Sequence, residues 1–267
     1  QTPTDLSVVV DMYANDMAYE KAPLGDISLN AVYLPNSDGT HFVDSRINHN
    51  ENEVLVLSGS YKQEDEDGII DAGMELIDFP LSLANGFISD GIAVLEGLAN
   101  ANLTVSGVIA KPVINGWLST KDAKIKSPTY SLNLRLQDDS IKIDRSHLNF
   151  DKLLVYSTGK NPLVFDGTVN FADFEKILLN LRVNASNFEL INARRTQQAS
   201  AYGKVYVDIA AMMTGNLSNN IDIRGRLGVL GNTDVTYVLK GSPLTVEDRL
   251  SDLVTFVDFS DTTKVKA

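Results

Sequence analysis

Apolar and polar side chains alternate along most of this chain with a period of two, the spacing that sends successive side chains to opposite faces of a β-sheet. Leu103, Val105, Gly107 and Ile109 fall on one side of such a run, and Asn102, Thr104 and Ser106 on the other. Tyr130, Leu132, Leu134 and Leu136 repeat the pattern, as do Ile177, Leu179, Leu181, Val183 and Ala185. Val205, Val207, Ile209, Ala211 and Met213 follow, then Ile221, Ile223, Gly225 and Leu227, then Val235, Tyr237 and Leu239. The chain opens the same way, with Leu6, Val8, Val10 and Met12. Each strand is expected to carry one dry face and one wet face.

Turn residues punctuate the runs at intervals that suit an antiparallel meander. Examples are Asn36-Ser37-Asp38-Gly39, Asp138-Asp139, Ser157 to Pro162, and Gly241-Ser242-Pro243. Two stretches depart from the alternation. Pro80 to Ile88 carries Leu81, Ala84, Phe87 and Ile88 at helical spacing, which predicts a short apolar helix. Thr245 to Val254 predicts a second, with Thr245 as N-cap and Asp248 three residues on. The acidic, irregular stretch from Tyr61 to Asp71 reads as a long surface loop. The class is all-β.

A weak internal repeat is present. Gly107 to Leu118 resembles Gly215 to Leu227: a glycine closes one strand, a turn follows, and the next strand holds a glycine (Gly116, Gly225) before a large residue. Gly167 fits the second half of the same unit. Glycine inside a strand marks a bulge, a bend or a close backbone approach.

Composition narrows the functional classes. The 267 residues carry a formal net charge of −12, which argues against nucleic acid and against anionic headgroup surfaces. There is no cysteine, so disulfides and thiolate metal sites are excluded. The hydrophobic fraction is 43%, yet no run is long enough to cross a bilayer as a helix. No signal-like segment opens the chain, and it starts and stops in mid-pattern, which suggests a piece of something longer.

Candidate chemistry is sparse. His41, His49 and His147 lie in separate neighbourhoods without ligand spacing, and His147 reads as the edge of a strand. No nucleophile elbow, P-loop or dinucleotide fingerprint occurs. Glu64 to Gly68 has the wrong spacing for a calcium loop. Asn102, Asn184 and Asn216 open sequons, a motif too short to carry weight. Paired carboxylates for glycoside hydrolysis are available, but the single tryptophan, Trp117, reads as lying on an apolar face and not as a sugar platform. No catalytic residue, cofactor or metal ligand is expected.

From Gly97 onward the residues carry a likeness to a known family. Leu98 to Leu118, with Gly107, Pro112 and Gly116, resembles the glycine–proline–glycine signature of the TamB C-terminal region. Asp166-Gly167-Thr-Val-Asn-Phe171, Leu179 to Phe188, Ala201 to Val207, Ile221 to Leu227 and Val235 to Leu239 follow in the family's order. The likeness covers about residues 75–257 and leaves residues 1–74 as N-terminal strands continuous with the same sheet.

That resemblance implies a long, curved, twisted antiparallel sheet, taco-like or solenoid-like, forming a half-pipe with an aliphatic concave face. It also implies a non-enzymatic, periplasm-spanning protein of the Gram-negative envelope, tethered to the inner membrane through a segment outside this sequence. Its partners would be an outer-membrane barrel of the assembly type, and phospholipid acyl chains or unfolded outer-membrane protein strands as cargo. The lining candidates are Leu103, Val105, Ile109, Leu132, Leu134, Leu179, Leu181, Val183, Val205, Val207 and Ile209. Two competing expectations stand beside this one: a scaffold module with a closed β-sandwich or β-solenoid core, and a carbohydrate-active β-helix enzyme.

Overall fold

The computed structural model describes residues 6–20, 22–64, 67–88, 92–127, 129, 132–193, 201–217 and 219–238. The first strands are β1 (Val8–Tyr19), β2 (Ala22–Pro35), β3 (Thr40–His49), β4 (Asn52–Glu64) and β5 (Asp67–Pro80). A 3-10 helix, Leu81–Phe87, leads to β6 (Val94–Val108) and β7 (Val113–Ser127). Two short strands follow, β8 (Leu132–Leu136) and β9 (Ser140–Asp144), then β10 (His147–Tyr156) and β11 (Leu163–Asn170). The last are β12 (Leu178–Ala193), β13 (Ala201–Asn216), β14 (Asn220–Val229) and β15 (Asp234–Tyr237).

All fifteen belong to one antiparallel sheet in which each strand pairs with its neighbours in sequence. This all-β meander agrees with the alternation read from the chain. Two places depart from it: β13 takes β15 along its first residues and β14 along the rest, and the slot beyond β7 is likewise shared. β7 pairs with β9 along its first half and with β8 along its second, so two short strands together fill the slot of one. β10 closes on the far side of both. Residues 74 and 75 both lie inside β5, and the sheet crosses from the N-terminal strands to the later ones without a break.

Bulges interrupt the ladder repeatedly, and each inserts extra residues that sharpen the local twist. Register shifts fall between Ala14 and Met17, Leu76 and Phe79, Glu96 and Leu98, Phe150 and Leu153, and Ala185 and Phe188. Asp16, Asp78, Asp122, Lys152 and Asn187 sit at these shifts with positive φ. A recurrent device satisfies the backbone N–H that a bulge leaves unpaired. Asp16 donates its N–H to Asp26 Oδ1, Asp78 to Asn100 Oδ1, Asp122 to Asp138 Oδ1 and Asn187 to Asp208 Oδ1, at 2.7–2.9 Å.

The repeat glycines do a different job. Gly116, Gly167 and Gly215 have φ between +131 and +140 and keep the register, with no bulge beside them. A Cβ at Gly116 would be driven into the carbonyl oxygen of Asn102 on β6. They therefore mark close strand approach, and the two sequence copies are the hairpins β6–β7 and β13–β14.

Three expectations need correction or placement. The long acidic loop is absent: β4 runs to Glu64, β5 starts at Asp67, and the two residues pair directly, so most of Tyr61–Asp71 is strand. Lys62, Asp67 and Asp71 belong to the wet face of these two paired strands, which composition alone had read as a loop. The apolar helix at Pro80–Ile88 is present as the 3-10 helix. It is pinned by Asn85, whose side chain bonds both the N–H and the carbonyl of Leu95. Phe87 stacks on Tyr19 at 4.8 Å. The helix at Thr245–Val254 and the turn at Gly241–Pro243 lie outside the described residues.

Candidate functional site

Directly paired residues of an antiparallel ladder project to the same face, so register alone shows which side chains share a surface. Leu179, Leu181, Val183 and Ala185 of β12 pair with Gly215, Met213, Ala211 and Ile209 of β13. Those in turn pair with Ile221, Ile223, Gly225 and Leu227 of β14. In the other direction the same face continues through Val169 and Phe165 of β11 to Leu148 and Leu153 of β10. It passes Leu134 to Ile125 of β7, and Gly116 and Ile114 to Leu103 and Val105 of β6. Met74, Leu57, Ser45, Ala31 and Val10 extend it to β1. One aliphatic surface crosses the whole sheet.

The predicted lining residues lie on this surface, with one exception. β6 ends at Val108, and Ile109 stands in the following turn, 51% exposed, its N–H donated to the Gly68 carbonyl at 2.8 Å. The proline three residues on ends the alternation there, which the period-two count had run past. Leu179, Val183 and Val207 are buried, Val207 to 1%. Leu103, Val105, Leu132, Leu134, Leu181, Val205 and Ile209 are half-buried. The coverage is thus uneven: a dry spine flanked by partly accessible aliphatic side chains.

Bulges account for much of the spine. Val54, Ala123 and Phe188 are buried, and each occupies or adjoins a register shift that turns its side chain inward. No second sheet lies over this face among the described residues. The burial comes from neighbours on the same sheet as it bends.

The opposite face is polar, with Asn102, Thr104, Ser106, Asn180, Arg182 and Asn184 among its members. Trp117 belongs here, not on the apolar side: it pairs with Asn102 and Lys142 and is exposed. The two-residue alternation around Gly116 shows why, since Leu118 and Ile114 occupy the inward positions. A shallow hollow of about 370 Å³ also opens on this side, lined by Val32, Leu34, Phe42 and Asp44 among others.

One buried carboxylate was not foreseen. Glu189 of β12 is buried, and it accepts from the Thr158 hydroxyl, from Asn192 Nδ2 at 2.9 Å and from the Tyr206 hydroxyl at 2.8 Å. Burial alone would raise its pKa, but these three donors outweigh it and hold the carboxyl below its ordinary range, with Lys204 assisting. The same bond pushes the Tyr206 phenol up. The turn Ser157–Pro162 folds over the carboxylate, since Gly159 lies against its Cβ. Asn192 Nδ2 also reaches Thr158 Oγ1 at 3.1 Å, closing the network. Thr158 sits in the β10–β11 turn, so the cluster ties that turn to β12 and β13.

The histidines serve structure as well. His41 stacks between Tyr33 and Tyr61, with centroids 5.7 and 6.2 Å away, and its Nδ1 lies 2.7 Å from the Tyr33 hydroxyl. His147 opens β10, and its Nδ1 donates to the Arg145 carbonyl at 2.8 Å. Among the described residues no three His, Cys, Asp or Glu side chains gather as a metal site. No helix there is long and apolar enough to cross a membrane.

No family model matches this chain, and no curated protein or solved structure resembles it at a significant level.

Proposed function

We propose that this chain is a non-enzymatic conduit of the TamB type, in which one face of a long sheet holds acyl chains or amphipathic strands in transit through the Gram-negative envelope. The observation that carries the reading is the continuity of the aliphatic face from β1 to β14, half-covered over much of its area. Leaving apolar surface in water costs roughly 25 cal/mol per Å². A lipid tail covers such a strip without directional bonds, and so binds without the tight fit that would prevent release. Among the described residues β1 and β14 each have one flank without a paired strand, which an extended client segment could join by strand addition.

In this reading the protein works in the periplasm, tethered to the inner membrane outside this sequence and partnered with an outer-membrane barrel. A sheet module that scaffolds envelope partners is the second reading, and burial of Leu179, Val183 and Val207 favours it. The two separate at Leu181, which is half-buried between them. A photo-crosslinker at Leu181 in living cells is expected to capture lipid or client, while one at Asn180, on the other face, captures neither. Full expression without any adduct at Leu181 would reject the conduit. Leu181→Arg is expected to stop cargo loading in a chain that still melts cooperatively; outright unfolding would place Leu181 in a sealed core.

A further inference from the structure

The polar face carries a feature that transport along the apolar face does not use. Near the slot shared by β8 and β9, register sets Glu96 of β6 opposite Lys124 of β7, Lys124 opposite Arg135 of β8, and Arg135 opposite Tyr156 of β10. Two residues along, Lys126 pairs with Asn133. Lys124, Lys126, Asn133, Arg135 and Ser157 line a hollow of about 270 Å³. Three cations therefore meet one carboxylate, on a chain whose formal net charge is −12.

Like charges directly across a ladder are destabilising. Lys124 and Arg135 nonetheless occupy such a pair, and an anion between them would relieve it. The cations are also positioned in advance. Arg135 lies 4.9 Å over the Tyr156 ring, a stacking that fixes the guanidinium plane while leaving its edge donors for another acceptor. Lys126 is drawn to Glu96 by an ion pair, which holds the Glu96 carboxyl below its ordinary range. Asn133 and Ser157 add neutral donors. Several cations with neutral donors around one small hollow suit a multiply charged acceptor with oxygens in several directions better than a planar carboxylate.

We propose that this hollow binds a phosphate group, carried either by a soluble phosphate or phosphate ester or by a lipid headgroup. The inference is independent of the conduit reading, because neither Leu181 nor any apolar-face residue contributes to it.

Calorimetric titration of the whole chain with inorganic phosphate at low ionic strength tests it. Saturable binding is expected, weakened at least tenfold in K124Q/R135Q and unchanged in K111Q, which alters an exposed lysine of the β6–β7 turn. No saturable binding by the wild type, equal affinity in K124Q/R135Q, or an equal loss in K111Q would each overturn the assignment. If K124Q/R135Q fails to fold, the wild-type amide resonances of Asn133 and Ser157 decide: saturating phosphate must move them, and stationary signals refute the site. Vesicles of phosphatidylglycerol in phosphatidylcholine separate the two sources. Capture that inorganic phosphate competes away assigns a lipid headgroup; phosphate binding without vesicle capture assigns a soluble phosphate or its ester.

Discussion

The middle of the sheet and its two ends are built from the same alternating pattern, yet they differ sharply in coverage. Val207 on β13 is buried to 1%, whereas Leu227 on β14, two steps away on the same face, is 65% exposed. At the opposite end Met12 and Val8 of β1 stand in solvent, while Ala99 and Ala101 of β6 are buried. The aliphatic residues are equivalent in type, so composition does not explain the difference. What differs is flanking: among the described residues an interior strand has paired neighbours on both sides, and an end strand has one. Where no second layer covers the described sheet, depth within the strand order replaces depth within a globule as the determinant of burial.

The sharpest way to break the interior is through its closest strand approach. Gly116→Val puts a β-branched side chain at φ +140, against the Asn102 carbonyl of the neighbouring strand. A loss of about 4 kcal/mol is expected from strain and lost pairing together. Gly39→Ala, in an open turn with nothing near the new methyl, is the control at a sheet margin. It should cost about 1 kcal/mol, the strain of a non-glycine residue at positive φ. Urea melts of both variants check the contrast, and similar losses would mean that strand approach at Gly116 does not limit stability. A smaller effect tests flanking directly. Val207→Ala is expected to cost about 2 kcal/mol, and Leu227→Ala less than about 0.5 kcal/mol, although leucine loses more atoms. Equal losses would refute the idea that strand order sets burial.

How far the sequence foretold this arrangement follows from the same contrast. Alternation identified the strands and, through Leu103, Leu132, Leu179 and Val207, the apolar face, because side-chain parity survives any number of antiparallel pairings. It failed at Ile109, where the strand stops, and at Trp117, whose hydrophobicity outweighed its parity. The Tyr61–Asp71 stretch was misread because a tight hairpin with charged wet faces has the composition of a loop. The bulges were invisible, since aspartate and asparagine in strands look like defects until Asn100 or Asp208 is seen accepting the freed N–H. The basic hollow was equally hidden: Lys124 and Arg135 are each ordinary wet-face residues, and only register makes them opposite. The Glu189 network draws on the β10–β11 turn, β12 and β13 and has no local signature at all.

That network supplies the finest test of how the interior is held. Glu189 is ionised in the fold with its pKa depressed by three donors, so it adds stability that is present above the ordinary carboxylate range. As pH falls through the depressed value, the proton that binds costs those bonds, and the contribution disappears. Glu189→Gln keeps the shape and two acceptor contacts but loses the charge that strengthens them. The expected cost is about 1 kcal/mol at neutral pH. Because glutamine does not titrate, the two proteins should converge in stability as the medium is acidified below the range of free carboxylates. Urea melts from pH 7 down to about 3, with the unfolded value near 4.3 as reference, follow the gap. A gap that stays constant would show that the charge of Glu189 contributes nothing, and that packing beneath the Ser157–Pro162 turn holds the turn, β12 and β13 together instead.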